Sequence, residues 1–162
     1  MTPPRVVLVG VAGSGKTAVG RALAAALQVP FVDADDFHPP ANRAHMAAGL
    51  PLDDTLRAPW LAAVHAHLAA AVAAGQGFVL ACSALRQRYR DTLAAGLPPL
   101  RWVHLAADQA TLAARLAARE HHFFPAALLP SQLATFEPLR DGEVVDAAQP
   151  IAAIVAQLCW QP

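Results

Sequence analysis

The chain has 162 residues, which suits one domain able to bury roughly 68–70% of its unfolded surface. Its 56% hydrophobic and 15% charged residues exclude a disordered chain, and a formal net charge of +0 provides no basic footprint for nucleic acid while leaving room for self-association. Cys82 and Cys159 make neither a disulfide framework nor a C-x-x-C pair, and no apolar run approaches the about 18 residues of a membrane span, so a cytoplasmic protein is expected.

The first apolar run, Val6–Val9, reads as a strand and not a signal peptide, because it leads directly into Gly10-Val11-Ala12-Gly13-Ser14-Gly15-Lys16-Thr17. That octapeptide fits the P-loop pattern G-x-x-x-x-G-K-[ST], and a helical pattern follows over Lys16–Leu27. Its glycines let the main chain wrap closely, so that amide N–H groups and the positive end of the helix face a phosphate. Gly10, Gly13, Ser14 and Gly15 are therefore expected to cradle the phosphates of ATP, Lys16 to reach the β- and γ-phosphates, and Thr17 to ligate Mg²⁺. Of the 12 basic residues only Lys16 is lysine, which sets its ammonium apart from the arginines used elsewhere.

A second strand, Phe31–Asp33, runs into Asp33-Ala34-Asp35-Asp36. Strand alternation would put Asp33 and Asp35 on one side, where one carboxylate could orient metal-bound water and the other face substrate. A solvated acidic turn is the alternative; the neighbouring P-loop favours function. His38 follows as a candidate polar substrate contact, and His38–Pro59, rich in Pro, Asn and Asp, is expected to be a mobile cover over the site.

A helix is predicted over Ala58–Ala74, with His65 and His67 on its surface and Trp60 as a core anchor. A third strand, Phe78–Cys82, leads to a helix Ala84–Ala95 capped by Ser83, with Cys82 buried in the core. A fourth strand, Trp102–Leu105, leads to a helix Gln109–Arg119 capped by Asp108. Arg86 and Arg90, like Arg115 and Arg119, stand four apart on these helices, where like charges repel unless a bound anion sits between them. Arg57 lies within reach of the same acceptor pocket. His121–Pro130, with two prolines and Phe123-Phe124, reads as a second cover; Val144–Val145 and Ile151–Cys159 read as the last strand and helix. Apolar strands alternating with helices predict an α/β fold whose parallel sheet, about five-stranded, is covered on both faces, with ligands beyond the carboxyl ends of the strands.

These residues resemble the thermoresistant-type gluconokinases over nearly the whole chain. Beside the P-loop, the shared pieces are Asp33-Ala34-Asp35 with His38-Pro39, Asn42 with Met46, and Arg57 with Pro59-Trp60-Leu61. More specific is Cys82-Ser83-Ala84-Leu85-Arg86 with Tyr89-Arg90-Asp91; Arg115, Arg119, His122-Phe123 and Ser131-Gln132 complete the match. The resemblance implies one P-loop kinase domain over 1–162, with a substrate-side loop at about 36–60 and a helical lid at about 115–135. It implies ATP- and Mg²⁺-dependent phosphorylation of D-gluconate to 6-phosphogluconate by a homodimer. Carried over by position, Asp35 is the base, Thr17 and Asp33 serve the metal, and Lys16 and Arg119 assist transfer. His38, Arg57, Arg86, Tyr89 and Arg90 hold the sugar acid with Asp35, while Arg115, Arg119, Gln149 and Pro150 contact the nucleotide. His45 and Leu56 depart from the Lys and acidic residue usual in that family. Shikimate-type and nucleoside monophosphate kinases share the architecture, but the segment after the third strand lacks the glycine run expected of the former. A switch GTPase needs a second lysine that this chain lacks, and the aspartates and arginine pairs argue against a non-catalytic nucleotide-binding module.

Overall fold

The computed structural model describes residues 2–119 and 125–160. Five strands, β1 (Arg5–Val9), β2 (Phe31–Asp33), β3 (Phe78–Ala81), β4 (Arg101–Ala106) and β5 (Glu143–Asp146), form one parallel sheet in the order β2-β3-β1-β4-β5. Central β1 pairs on both sides, Val7 lying opposite Leu80 of β3 and Trp102 of β4. Both faces of β1 are buried from Val6 to Val9, which is why that run is continuously apolar. Because the chain moves to opposite sides of β1 before and after β3, a crevice opens beyond the carboxyl end of β1.

Among the described residues seven α-helices accompany the sheet: α1 (Lys16–Leu27), α2 (Pro40–Ala47), α3 (Asp54–Ala73), α4 (Gln87–Ala94), α5 (Gln109–Ala117), α6 (Leu129–Thr135) and α7 (Ile151–Cys159). On one face Val7, Val9 and Leu80 pack with Trp60, Val64 and Leu68 of α3 and Leu93 of α4. On the other, Val6, Leu8, Val103 and Leu105 pack with Val19 and Leu23 of α1 and Ile154 and Leu158 of α7. Side chains such as Leu23 and Leu68 are fully buried, each contributing roughly 1.5–3 kcal/mol through lost apolar surface. Arg101 joins the far edge, binding Glu143 of β5 through Nε and Nη2 and the Leu158 carbonyl of α7 through Nη1.

The expected bounds of α1 and α7 agree with the structure, and Asp108 caps α5 by accepting from the Thr111 N–H at 2.7 Å. Three expectations change. The segment 38–59 contains α2 and the first turn of α3, because Pro39 and Pro40 start one helix and Asp53 caps the next by accepting from the Leu56 N–H at 2.8 Å. Ser83 does not cap α4: Ala84 adopts φ 38° and Arg86 is extended, so the helix begins at Gln87. His65 is half-buried and bonds the Leu93 carbonyl through Nδ1, while His67 remains exposed.

Candidate active site

The P-loop leaves β1 at Gly10 and ends at Gly15, whose φ of 91° caps α1 without any side-chain hydrogen bond. The first amides of α1 therefore remain available to an anion. Gly13 is required twice over: its φ is +85°, and a Cβ there would stand 2.8 Å from the Leu112 carbonyl of α5. The Ser14 side chain is buried, with its Oγ unpartnered among the described residues. Lys16 turns inward, its Nζ donating to the Gly10 and Val11 carbonyls at 2.9 and 3.1 Å. Burial lowers its pKa, while Asp35, then Cys82 and, more weakly, Asp33 pull the other way against Arg119. An ammonium held this way can shift onto a phosphate with little reorganisation.

One cleft gathers Gly13, Lys16 and Thr17 from the P-loop, Asp33, Asp35 and His38 from the end of β2 onward, Arg57 and Tyr89 from α3 and α4, and Arg119 just past α5. Asp33 and Asp35 converge, but not through strand alternation. β2 ends at Asp33, and Ala34–Phe37 form a 3-10 turn that Asp33 caps by accepting from the Asp35 N–H at 3.0 Å. The other Asp33 oxygen accepts from the Thr17 hydroxyl at 3.3 Å. Thr17 and Asp33 thus present two hard oxygen donors side by side, which suits Mg²⁺, an ion that keeps several waters and needs few protein ligands.

His38 is held at a ring face and at a ring edge. It stacks on Trp60 at 4.2 Å, and Asn42 Nδ2, which also donates to the Leu56 carbonyl at 2.8 Å, approaches its Nδ1 at 3.3 Å. An amide nitrogen there makes Nδ1 the acceptor and leaves the proton on Nε2, 3.9 Å from an Asp35 oxygen. Burial, reinforced by the Arg43 and Arg57 charges, lowers the His38 pKa to about 4, so the ring is neutral at pH 7. Trp60 serves core and cleft together, donating from Nε1 to the Ala34 carbonyl at 2.7 Å.

The four predicted acceptor-side cations and phenol separate in space. Arg57 Nη1 donates to the Tyr89 hydroxyl at 2.9 Å, and that hydroxyl donates to Asp54 at 2.6 Å, so both are aligned within the cleft. Arg88 pairs with the second Asp54 oxygen at 2.5 Å, and the Tyr89 and Arg88 hydrogen bonds lower the Asp54 pKa. Arg90 departs from expectation. It is 1% exposed, does not line the cleft, and donates to the carbonyls of Ala84, Leu85, Glu137 and Pro138. Its guanidinium holds together the segments after β3 and after α6, which is a structural task. Arg86 is also outside the cleft lining, 4.0 Å from Glu137, with its Nε buried and unpartnered among the described residues. The i, i+4 spacing does not bring these two arginines onto one anion, because Arg86 precedes α4 and Arg90 turns under it.

Arg115 and Arg119 also divide. Arg119 faces the cleft, whereas Arg115 donates to the Gly13, Ser14 and Ala147 carbonyls and clasps the back of the P-loop. Gln149 and Pro150 lie beyond that clasp, at the start of α7 and outside the cleft lining. His122 and Phe123 lie outside the described residues. The cleft is also lined by Leu128, which no sequence motif marks, and by Ser83, Ser131 and Gln132, which belong to the shared family segments but carried no expected site role. The departing residues His45 and Leu56 both have places, His45 with its Nε2 3.1 Å from the Pro51 carbonyl and Leu56 against the Met46–Leu52–Leu128 cluster.

A family profile described as AAA domain matches residues 6–139. The chain is 48% identical to a gluconokinase of Gluconobacter oxydans over 145 residues, covering 90% of this chain and 82% of that protein. The chain belongs to the gluconokinase family. Two solved structures agree: a gluconokinase from Sinorhizobium meliloti, 42% identical with a TM-score of 0.84 over 96% of this chain and 89% of that one, and an unliganded sugar kinase from Janibacter, 40% identical with a TM-score of 0.90 over 96% and 92%. Among the described residues no helix is long and apolar enough to cross a membrane.

Proposed function

We propose that the chain transfers the terminal phosphoryl group of ATP to the 6-hydroxyl of D-gluconate. The observation that carries this reading is the convergence, in one cleft, of a P-loop lysine, two carboxylates and the Arg57–Tyr89 pair. The P-loop amides, Lys16 and Arg119 take the phosphates, with Arg115 bracing the loop from behind and Gln149-Pro150 on the nucleotide-base side. Thr17 and Asp33 would hold Mg²⁺, which when bound neutralises phosphate charge. Asp35 accepts the proton of the attacking hydroxyl, and neutral His38 orients it without adding a competing positive charge. Arg57 is the cleft cation suited to the acceptor carboxylate, since a guanidinium matches two carboxylate oxygens at once. Arg90 supports the pocket wall from outside.

The reading includes a substrate-side segment at about 36–60, a lid at about 115–135, a cytoplasmic location and a homodimer, each testable on the purified or expressed protein. The deciding experiment offers ATP and Mg²⁺ with gluconate, shikimate and AMP as acceptors and locates the product phosphate by NMR. A gluconate product phosphorylated at O6 supports the reading. Turnover only with shikimate or AMP, or with none of them, rejects it.

A further inference from the structure

The phosphate cradle is already in use. The Ala12 N–H, which belongs to the P-loop and borders the cleft, donates to the side-chain Oε1 of Gln132 at 2.6 Å. Gln132 stands on α6, far along the chain, so this bond depends wholly on tertiary structure. A neutral amide oxygen thus occupies a donor that a phosphate oxygen would need. Lys16 is satisfied in the same internal manner, by its own loop's carbonyls.

α6 is anchored where it is. Leu129 is 2% exposed within an apolar cluster that includes Val11 of the P-loop, Leu112 and Leu116, with Leu133 packed alongside. The helix need not move for the cradle to open, because rotation of the Gln132 side chain frees the Ala12 N–H. We propose that Gln132 is a built-in competitor for the terminal phosphate of the nucleotide, an inference that rests on the nucleotide reading above. Its oxygen caps the P-loop donor when no phosphoryl group is present, yields to a triphosphate, and reclaims the donor after transfer. That return helps displace the transferred phosphoryl group while the diphosphate stays bound to the rest of the loop. Ser131 lies beside it in the cleft lining; the phosphate's own charge makes it the stronger acceptor, and Lys16 and Arg119 in the same lining draw it in.

The test is isothermal titration of a non-hydrolysable ATP analogue and of ADP, each with Mg²⁺, into the parent protein, Gln132→Ala and Gln132→Met. Met retains the bulk and the helix but accepts hydrogen bonds poorly. Removing one competing hydrogen bond should tighten the triphosphate analogue roughly five-fold in both variants and leave ADP unchanged. Weaker analogue binding in the variants, or equal shifts for the two nucleotides, overturns the proposal, as does no change in either. If the parent binds neither nucleotide, the nucleotide reading itself fails, which is a separate and recognisable result.

Discussion

Arg90→Met removes a guanidinium that is 1% exposed and donates to Ala84, Leu85, Pro138 and Glu137 carbonyls at 2.8, 3.2, 3.2 and 2.5 Å. Methionine fills most of the volume, so the loss is chiefly polar. The Ala84 and Leu85 carbonyls are buried and those of Glu137 and Pro138 partly so, and each left without its donor costs up to roughly 1–3 kcal/mol where water cannot replace it. Against this, the variant no longer desolvates a charge, which returns several kcal/mol. The balance is a destabilisation of about 3–5 kcal/mol, a large part of the about 5–15 kcal/mol by which a domain is stable. With a urea slope of about 2 kcal/mol/M, the unfolding midpoint should fall by about 2 M. Arg90→Lys should restore only part of it, since one ammonium cannot reach four carbonyls in the fork geometry of arginine. At a temperature where the variants remain folded, the gluconate KM should change little compared with Arg57→Ala. An unaltered midpoint together with a large rise in gluconate KM would refute the assignment and return Arg90 to the acceptor site.

His38 predicts a pH slope. Its pKa is lowered from 6.5 to about 4 on folding, so below pH 6.5 the unfolded chain binds a proton that the folded one refuses. Stability should therefore fall by about 3 kcal/mol as pH drops from 6.5 to 4, and His38→Gln should flatten that part of the curve of urea midpoint against pH; identical slopes for variant and parent would reject the reasoning. Asp35→Asn should lower turnover by about 10²–10⁴-fold while ATP affinity, followed by titration, stays within a few-fold; an unchanged rate removes Asp35 as the base. The Cys82 thiol is buried and pushed up to about 12 by burial, whereas Cys159 is exposed. Iodoacetamide on the native protein should label Cys159 alone, and both thiols after denaturation; native labelling of Cys82, read by peptide mass, would contradict its placement.

The chain order of the five strands and of α1, α3, α4, α5 and α7, the P-loop and the pair Asp33 and Asp35 were legible from residue order because each is specified locally. A continuous apolar run makes a buried parallel strand, and G-x-x-x-x-G-K-T sets a turn and the helix behind it within eight residues. The helix bounds of α1 and α7 follow for the same reason. Less legible was the segment 38–59, where prolines suggested an irregular cover although Pro39 and Pro40 begin α2 and Pro59 sits inside α3. A proline's effect depends on its distance from the helix start, which Asp53 decides by capping.

What residue order could not decide was the use of each polar group once the chain had folded. Arg86, Arg90, Arg115 and Arg119 look alike as two pairs at helical spacing, yet Arg119 faces the cleft while Arg90 lies under it. The difference comes from carbonyls at positions 84–85 and 137–138, brought together only when the segments after β3 and α6 meet. Gln132 shows the same division, for nothing near it in the chain reveals that its oxygen meets Ala12. The sequence by itself determined a phosphate cradle and the carboxylates beside it, because local backbone geometry specifies those. Tertiary packing alone decided which arginines meet solvent, the cleft or main chain, because a long charged side chain takes its partner from whatever the fold places within its reach.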